Sequence, residues 1–261
     1  MSELEDISKK CPQCPTGTRN VRRTVAILRA VANHQNKGAP LSKIARAVDL
    51  PISTVKRILS VLTLEGFVSQ SEKSKQYYLG YEFYEAAKKS FPVHIQDKYR
   101  HILEQIAKQT GDTVYLVIPS GLDQLCIDVA EGSFSIRIPY GVGSRAPLGL
   151  LAGGIPILAN LPQKKVEDIL TKNQQRYIEY DLTIQEIWKH IEKCRKMGYL
   201  RYESKLIAGL TGVAVPIINN KEVVASIIVS STAQRMPPVR CNQIQQLIRK
   251  EIQALNFDSD K

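Results

Sequence analysis

Residues 41–59 read LSKIARAVDLPISTVKRIL, and this stretch decides the fold of the first third of the chain. Apolar residues recur at helical spacing on both sides of Asp49-Leu50-Pro51, which predicts a helix over residues 41–48 and another from Pro51 to about Leu64. Proline suits the first turn of a helix, and Gly66 ends the second one. The second helix would bury Val55, Ile58, Leu59 and Leu62 and would present Ser53, Thr54, Lys56, Arg57 and Ser60 to solvent.

The flanking residues extend this pair of helices into a larger motif. Apolar residues recur at helical spacing after Asn20, a candidate N-cap, so a further helix is predicted over residues 21–34. Downstream, residues 67–70 and 76–79 have the composition of two strands, and the polar stretch 71–75 between them predicts a turn. Helix, helix, turn, helix and hairpin in this order predict a winged helix-turn-helix, with the hairpin as the wing.

Positive charge is concentrated in the same part of the chain. The net charge is +11, and nine basic residues but a single acid lie between Arg19 and Arg57. Such a basic surface is either simply solvated or faces the phosphates of a nucleic acid. Because residues near the start of a recognition helix meet base edges in a major groove, the second reading is favoured. The candidate DNA contacts are Ser53, Thr54, Lys56 and Arg57 on the second helix, Lys43 and Arg46 on the helix before it, Lys73 and Lys75 in the hairpin turn, and Arg22 and Arg23 near the start of the motif.

The rest of the chain has a different pattern. After a helical linker and a boundary at Phe91-Pro92, helices and strands are mixed, which predicts an α+β domain. Helices are predicted over residues 94–109, 150–160, 164–172, 183–197 and 241–255, and strands over 113–119, 124–130, 134–139, 212–218 and 223–230. The predicted organisation is a flexible tail over residues 1–19, a winged helix-turn-helix over 20–80, a linker helix over 81–92 and a second domain over 93–261.

Composition narrows the class of protein. No apolar run has the length of a membrane-spanning helix, and the polar start MSELEDISKK lacks a secretory signal, so we expect a cytoplasmic protein. Five scattered cysteines argue against a disulfide framework, and the pair Cys11 and Cys14 has no second pair to complete a zinc site. With no nucleophile–base–metal set and no nucleotide-binding loop, we expect no cofactor, no metal and no catalytic residue.

Several short motifs recur in a recognisable order along the chain. Besides residues 41–59, they are LEGFV at 64–68, YLG at 78–80, GSRAPL at 143–148 and GLTGVAVP at 209–216. In sequence and spacing they resemble the IclR family of transcriptional regulators over about residues 20–255. The resemblance implies an α+β protein, with an N-terminal winged helix-turn-helix, a linker helix and a C-terminal GAF-like α/β effector domain. It also implies a homodimer or a dimer of dimers on a double-stranded, roughly palindromic DNA operator.

The resemblance further implies a pocket for a small-molecule effector. The matching positions are Ala152, Gly153, Tyr202, Gly212, Ile228 and Ser230, with Ile138, Ala146 and Leu210 as an apolar wall. Gly153 and Gly154 lie near the predicted start of a helix, where free backbone N–H groups bind anions. A small carboxylate could bind there, with Tyr202 and Ser230 as hydrogen-bond donors. The alternative is that these glycines only allow a helix to pack closely on a sheet.

These features together predict a sequence-specific DNA-binding transcriptional regulator that responds to a small-molecule effector, with a carboxylate as the favoured class. Effector binding would change the linker helix and thereby the spacing of the two recognition helices of a dimer. Two alternatives stay open. One is a constitutive DNA-binding regulator with a degenerate sensor domain, and the other is an enzyme that carries a helix-turn-helix as an appendage.

Overall fold

The computed structural model describes residues 18–34, 38–88, 91–134, 138 and 140–258. The chain divides between Val93 and His94 into two compact units. Residues 1–17, which include most of the expected tail and the pair Cys11 and Cys14, lie outside the described residues. Within the described residues, no helix combines the length and the apolar content that crossing a bilayer requires.

The N-terminal unit is a bundle of helices closed by a two-stranded hairpin. Its elements are α1 (Arg19–Ala32), α2 (Leu41–Val48), α3 (Ile52–Leu64), β1 (Val68–Gln70), β2 (Tyr77–Leu79) and α4 (Tyr81–Lys88). The strands β1 and β2 are antiparallel, and Val68 pairs with Leu79. One apolar core holds α1, α2, α3 and the hairpin together, and its most enclosed side chains are Ile27, Val31, Ile44, Val55 and Leu59.

Local sequence explains the ends of these elements. Asp49 takes a left-handed backbone conformation with φ of 50° and so turns the chain between α2 and α3. Pro51 is the N-cap of α3, and the helix itself begins at Ile52, one residue later than expected. Asn20 is not an N-cap: Thr18 occupies that position, and the backbone carbonyl of Asn20 accepts a hydrogen bond from Thr24 inside α1.

The C-terminal unit is a six-stranded antiparallel sheet with helices on both faces. Its strands are β3 (Thr113–Ser120), β4 (Asp123–Ala130), β5 (Arg145–Pro147), β6 (Leu200–Glu203), β7 (Leu210–Asn219) and β8 (Glu222–Thr232), in the spatial order β5-β4-β3-β8-β7-β6. Its helices are α5 (Phe91–Thr110), α6 (Gly154–Ala159), α7 (Gln163–Ile178), α8 (Ile184–Met197) and α9 (Pro238–Asp258).

Alternation along the strands builds two separate apolar layers in this unit. On β3, Val114, Leu116 and Ile118 pack with α5 and α9, whereas Tyr115 and Val117 pack with α6, α7 and α8. Successive side chains of a strand point to opposite faces, so one strand serves both layers. The pocket described below lies on the Tyr115 face.

Several expected features differ in the structure. Helix α1 spans Arg19–Ala32 rather than residues 21–34, and α7 extends to Ile178 rather than to residue 172. The strand expected over 134–139 is absent where it is described, because Phe134 lies in a turn and Ile138 has no strand pairing, while residues 135–137 and 139 lie outside the described residues. The helix expected over 150–160 is confined to Gly154–Ala159, and α5 begins at Phe91, where a boundary was expected. The short strands β5 and β6 were not predicted, since three or four residues carry too little periodicity to be recognised.

Candidate nucleic-acid interface and ligand pocket

Helix α3 is anchored by one face and presents the other to solvent. Val55, Leu59 and Leu62 are buried and Ile58 is half-buried, which matches the apolar face expected from the sequence. On the opposite side, Ser53, Lys56 and Arg57 are exposed and Thr54 is half-buried. The first turn of α3 contains no acidic residue, so no carboxylate there neutralises the positive end of the helix dipole.

The other expected DNA contacts lie on three further elements of the same unit. Lys43 and Arg46 are exposed on α2, Arg22 is exposed and Arg23 half-buried on α1, and Lys73 and Lys75 are exposed in the hairpin turn. The turn has a defined shape, because the backbone N–H of Lys75 donates to the carbonyl of Ser71 over 2.9 Å and the carbonyl of Lys75 accepts from Gln70 Nε2 over 3.0 Å. Within the described part of the chain, none of these six cations, nor Lys56 or Arg57, forms an ion pair with a carboxylate.

A cavity with about 640 Å³ of empty space, including its open mouth, lies on one face of the C-terminal sheet. It brings together eight of the ten residues expected for an effector, namely Ile138, Ala152, Gly153, Tyr202, Leu210, Gly212, Ile228 and Ser230. Ala146 and Gly154 do not line it: Ala146 is fully buried in β5, and Gly154 is buried against Gln124 and the backbone of Leu148.

The paired glycines lie in a closely packed part of the wall. A Cβ atom on Gly153 would come within 2.7 Å of side-chain carbons of both Ile228 and Val117, and one on Gly154 would come within 2.9 Å of Gln124 Oε1. The backbone N–H of Gly154 already donates to the carbonyl of Leu151 over 3.2 Å. Because α6 has only six residues and this N–H is engaged, the structure favours the packing alternative for the glycines.

Tyr202 lines the cavity, but its hydroxyl is not available as the expected donor. The hydroxyl donates to the backbone carbonyl of Leu150 over 3.0 Å, and the ring packs edge-on against His190 at a centroid distance of 5.2 Å. Burial raises the pKa of Tyr202 to about 12, so the phenol stays protonated and keeps this bond. Ser230, which is half-buried on β8, retains the expected position in the wall.

Besides Ser204, three polar side chains of the wall were missed by sequence reasoning. They are Tyr115 on β3, Gln124 on β4 and Tyr140 in the loop before β5. Gln124 is 1% exposed, and its Nε2 donates to the hydroxyl of Tyr140 over 2.8 Å. The rings of Tyr115 and Tyr140 lie 5.8 Å apart, and burial raises the pKa of both phenols far above the physiological range. Alternation along 124–130 could have found Gln124, because it shares a strand face with the buried Cys126.

Apart from Ser204, the rest of the wall is apolar, and the described residues of the wall carry no formal charge. Its remaining members are Val117, Leu151, Ser204, Leu206 and Ile207. The hydroxyl of Ser204 accepts from the backbone N–H groups of Leu206 and Ile207 over 3.2 and 3.1 Å. Among the described residues, no cluster of three His, Cys, Asp or Glu side chains could hold a metal ion. The arrangement suits an apolar molecule that bears a few polar groups.

Comparison with known protein families covers both units of the chain. A family model described as "IclR helix-turn-helix domain" matches residues 20–72, and one described as "Bacterial transcriptional regulator IclR C-terminal" matches residues 91–256. The chain belongs to the IclR family of bacterial transcriptional regulators. The predictions of the family and of a DNA-binding transcriptional regulator are therefore confirmed.

Individual IclR relatives match along most of the chain. The HTH-type transcriptional repressor AllR of Klebsiella pneumoniae is 25% identical over 245 residues, which are 92% of this chain and 89% of that protein. AllR of Salmonella typhi is 26% identical over 246 residues, with coverage of 91% and 89%.

Solved IclR structures have the same fold. The crystal structure of Thermotoga maritima IclR has a TM-score of 0.64 at 23% identity and covers 91% of this chain and 97% of that one. An IclR homolog from Microbacterium hydrocarbonoxydans, crystallised with 4-hydroxybenzoate, has a TM-score of 0.72 at 17% identity, with coverage of 90% and 98%. These likenesses confirm the predicted fold class, a helix-turn-helix domain followed by an α+β domain.

Proposed function

We propose that the protein binds a specific DNA operator through α3 and that a small carboxylate in the C-terminal cavity changes this binding. The observation that carries the proposal is the exposed face of α3, where Ser53, Lys56 and Arg57 project from a helix whose other face is buried. A major groove accepts one such helix, and Lys and Arg read guanine edges there.

The remaining cations are assigned to the phosphate backbone. Lys43 and Arg46 lie on the helix before α3, and Lys73 and Lys75 lie at the tip of the wing. Arg22 and Arg23 add positive charge on α1. Phosphate contacts of this kind orient a protein on the duplex, whereas base contacts specify the sequence. We therefore assign specificity to α3, including Thr54, and affinity to the other elements.

A two-fold arrangement is part of the same proposal, as the resemblance to the IclR family implies. IclR-type operators are expected to be roughly palindromic, and a homodimer or a dimer of dimers meets two half-sites together. An effector that alters the spacing of two recognition helices would weaken binding to the operator, because both half-sites must be bound at the same time. Since its proposed target is operator DNA, we expect the protein to act in the cytoplasm of a bacterial cell.

The cavity supports a sensor rather than a constitutive regulator. Its apolar wall with a few hydroxyl and amide groups is typical of a small-molecule site. A carboxylate is supported by the neutral hydroxyl donors in the wall and by the 4-hydroxybenzoate crystallised with the Microbacterium hydrocarbonoxydans homolog. The proposed action is binding and not catalysis, which agrees with membership of a family of transcriptional regulators.

The test is binding of the full chain to DNA upstream of its own gene and of the neighbouring genes, over a series of salt concentrations. We expect nanomolar, saturable binding to one fragment and a steep decrease of affinity with salt, because phosphate contacts release counterions. Addition of a carboxylate that binds in the cavity should shift the affinity of the protein for that fragment. Affinity equal to that for random DNA at every salt concentration would contradict the proposal.

A further inference from the structure

The cavity contains a pair of polar side chains whose geometry specifies a hydrogen-bond donor. Nε2 of Gln124 donates to the hydroxyl oxygen of Tyr140 over 2.8 Å. A phenol has one proton to donate, and an oxygen that accepts from Gln124 keeps that proton for another partner. In the described part of the chain no group accepts it, although both residues line the cavity.

The burial of Gln124 is not explained by stability alone. The side chain is 1% exposed, yet its Oε1 has no hydrogen-bond partner among the described residues. A buried amide satisfied at one end only is less stable than an apolar side chain of the same shape. We therefore infer that the role of Gln124 is its hydrogen bond to Tyr140, which orients the phenol.

The environment keeps the Tyr140 phenol neutral and close to a second phenol. Burial raises its pKa, and the hydrogen bond from Gln124 lowers it by a smaller amount. The Tyr115 ring lies 5.8 Å away on the same wall. Neutral hydroxyl groups in an apolar cavity donate strongly to an anionic oxygen, since charge-assisted hydrogen bonds exceed neutral ones in strength.

We propose that Tyr140 donates the hydrogen bond that recognises the carboxylate of the effector and that Gln124 is its positioning residue. The inference rests on the proposed function of the cavity and names the atoms that select its ligand. It replaces the donors expected from the sequence, because the Tyr202 hydroxyl is engaged by Leu150 and the Gly154 N–H by Leu151. The selected class is a small acid with an apolar or aromatic body.

The experiment measures binding of three acids to the full chain by calorimetry. The probes are acetate, benzoate and 4-hydroxybenzoate, each paired with its uncharged amide. We expect at least one acid to bind the wild type more tightly than its amide does. Tyr140→Phe should lower the affinity for that acid about tenfold or more. Gln124→Met should lower the same affinity by a smaller factor. Tyr199→Phe, a change outside the cavity wall, is the matched control and should leave acid binding unchanged.

Unfolding midpoints of the same variants separate a positioning role from a structural one. Gln124→Met should be as stable as the wild type or more stable, because methionine leaves no half-satisfied amide. Acid binding equal in wild type and Tyr140→Phe would overturn the proposal, and so would amides that bind as tightly as their acids. Failure of all three acids to bind at millimolar concentration would also overturn it, while specific operator binding in the same preparation would leave the DNA-binding part of the proposed function standing.

Discussion

The hydroxyl of Tyr202 on β6 donates a hydrogen bond to the backbone carbonyl of Leu150, 3.0 Å away in the turn before α6. This bond ties the edge of the sheet to the segment that forms one wall of the cavity. Among the described residues, the Tyr202 hydroxyl is the partner of this carbonyl group, and buried carbonyl groups are generally hydrogen-bonded. Tyr202 is thus a structural part of the wall, although its ring faces the cavity.

Tyr202→Phe should lower the free energy of unfolding by about 1 kcal/mol, because the buried Leu150 carbonyl loses its donor. The measurement is urea unfolding followed by the fluorescence of Trp188, the only tryptophan of the chain. Tyr199→Phe is the control, since Tyr199 is half-buried and no described residue bonds to its hydroxyl. Equal stability of the two variants would show that the Tyr202 bond contributes nothing measurable.

Arg57→Ala should weaken operator binding by about 1–3 kcal/mol and relax specificity, if Arg57 on the exposed face of α3 reads a base. The measurement is a titration of the operator and of random DNA at several salt concentrations. Lys165→Ala, which removes an exposed positive charge from α7 in the other unit, should leave both affinities nearly unchanged. An equal loss on operator and random DNA would instead identify Arg57 as a phosphate contact.

Gly153→Ala should destabilise the C-terminal unit by about 1–3 kcal/mol, because the added methyl group would lie 2.7 Å from carbons of Ile228 and Val117 in a packed wall. It should also reduce acid binding, since both neighbours line the cavity. Gly141→Ala is the matched control, as a Cβ there meets no atom within 4 Å. Unfolding midpoints and calorimetry check both effects, and wild-type values for Gly153→Ala would contradict the packing role.

Asp112→Asn should be among the more destabilising single changes, at about 3 kcal/mol. The fully buried carboxylate accepts hydrogen bonds from Ser231 Oγ, Arg235 Nε and Arg240 Nη2 over 2.7, 3.0 and 2.6 Å. The value lies at the low end for buried ion pairs because both guanidinium groups keep partial exposure. Asp168→Asn, which breaks an exposed pair, should cost less than about 0.5 kcal/mol. Urea unfolding that ranks the two variants equally would contradict this expectation.

Glu186 should contribute to stability at neutral pH and lose this contribution in acid. Its hydrogen bond with Lys205, followed by those with Thr183, lowers its pKa from 4.5 to about 2. A carboxylate with a lowered pKa stabilises the fold above its ordinary pKa, and the effect is lost as the pH falls through the folded value. Glu186→Gln should therefore be less stable than the wild type at pH 6, and the difference should shrink between pH 4.5 and 2.

Glu192→Gln on the same helix is the control for this pH dependence, because Glu192 is exposed and lies outside the capping box of α8. Urea midpoints at pH 6, 4 and 2 measure the effect. A constant difference between Glu186→Gln and the wild type over this range would show that the charge of Glu186 does not contribute.

The order of elements in the N-terminal unit could be predicted from the sequence, although α1 lies two residues earlier than expected and α4 ends at Lys88 rather than at residue 92. Its helices α2 and α3 lie within one residue of the expected bounds, because a periodic apolar face, Pro51 and Gly66 act through local chain geometry. The uneven charge, with nine basic residues between Arg19 and Arg57, is likewise a property of the sequence itself. The family motifs added the fold of the second unit.

Only the tertiary structure decided which polar groups face the cavity. Gln124 and Tyr140 are 16 residues apart, and the loop and strand packing that brings them to 2.8 Å has no local sequence signal. The engagement of Tyr202 by Leu150, 52 residues away, and the close approach of Ile228 to Gly153 are decided in the same way. Periodicity and charge act between near neighbours in the chain, whereas a binding wall is built from residues whose proximity depends on the whole packed sheet.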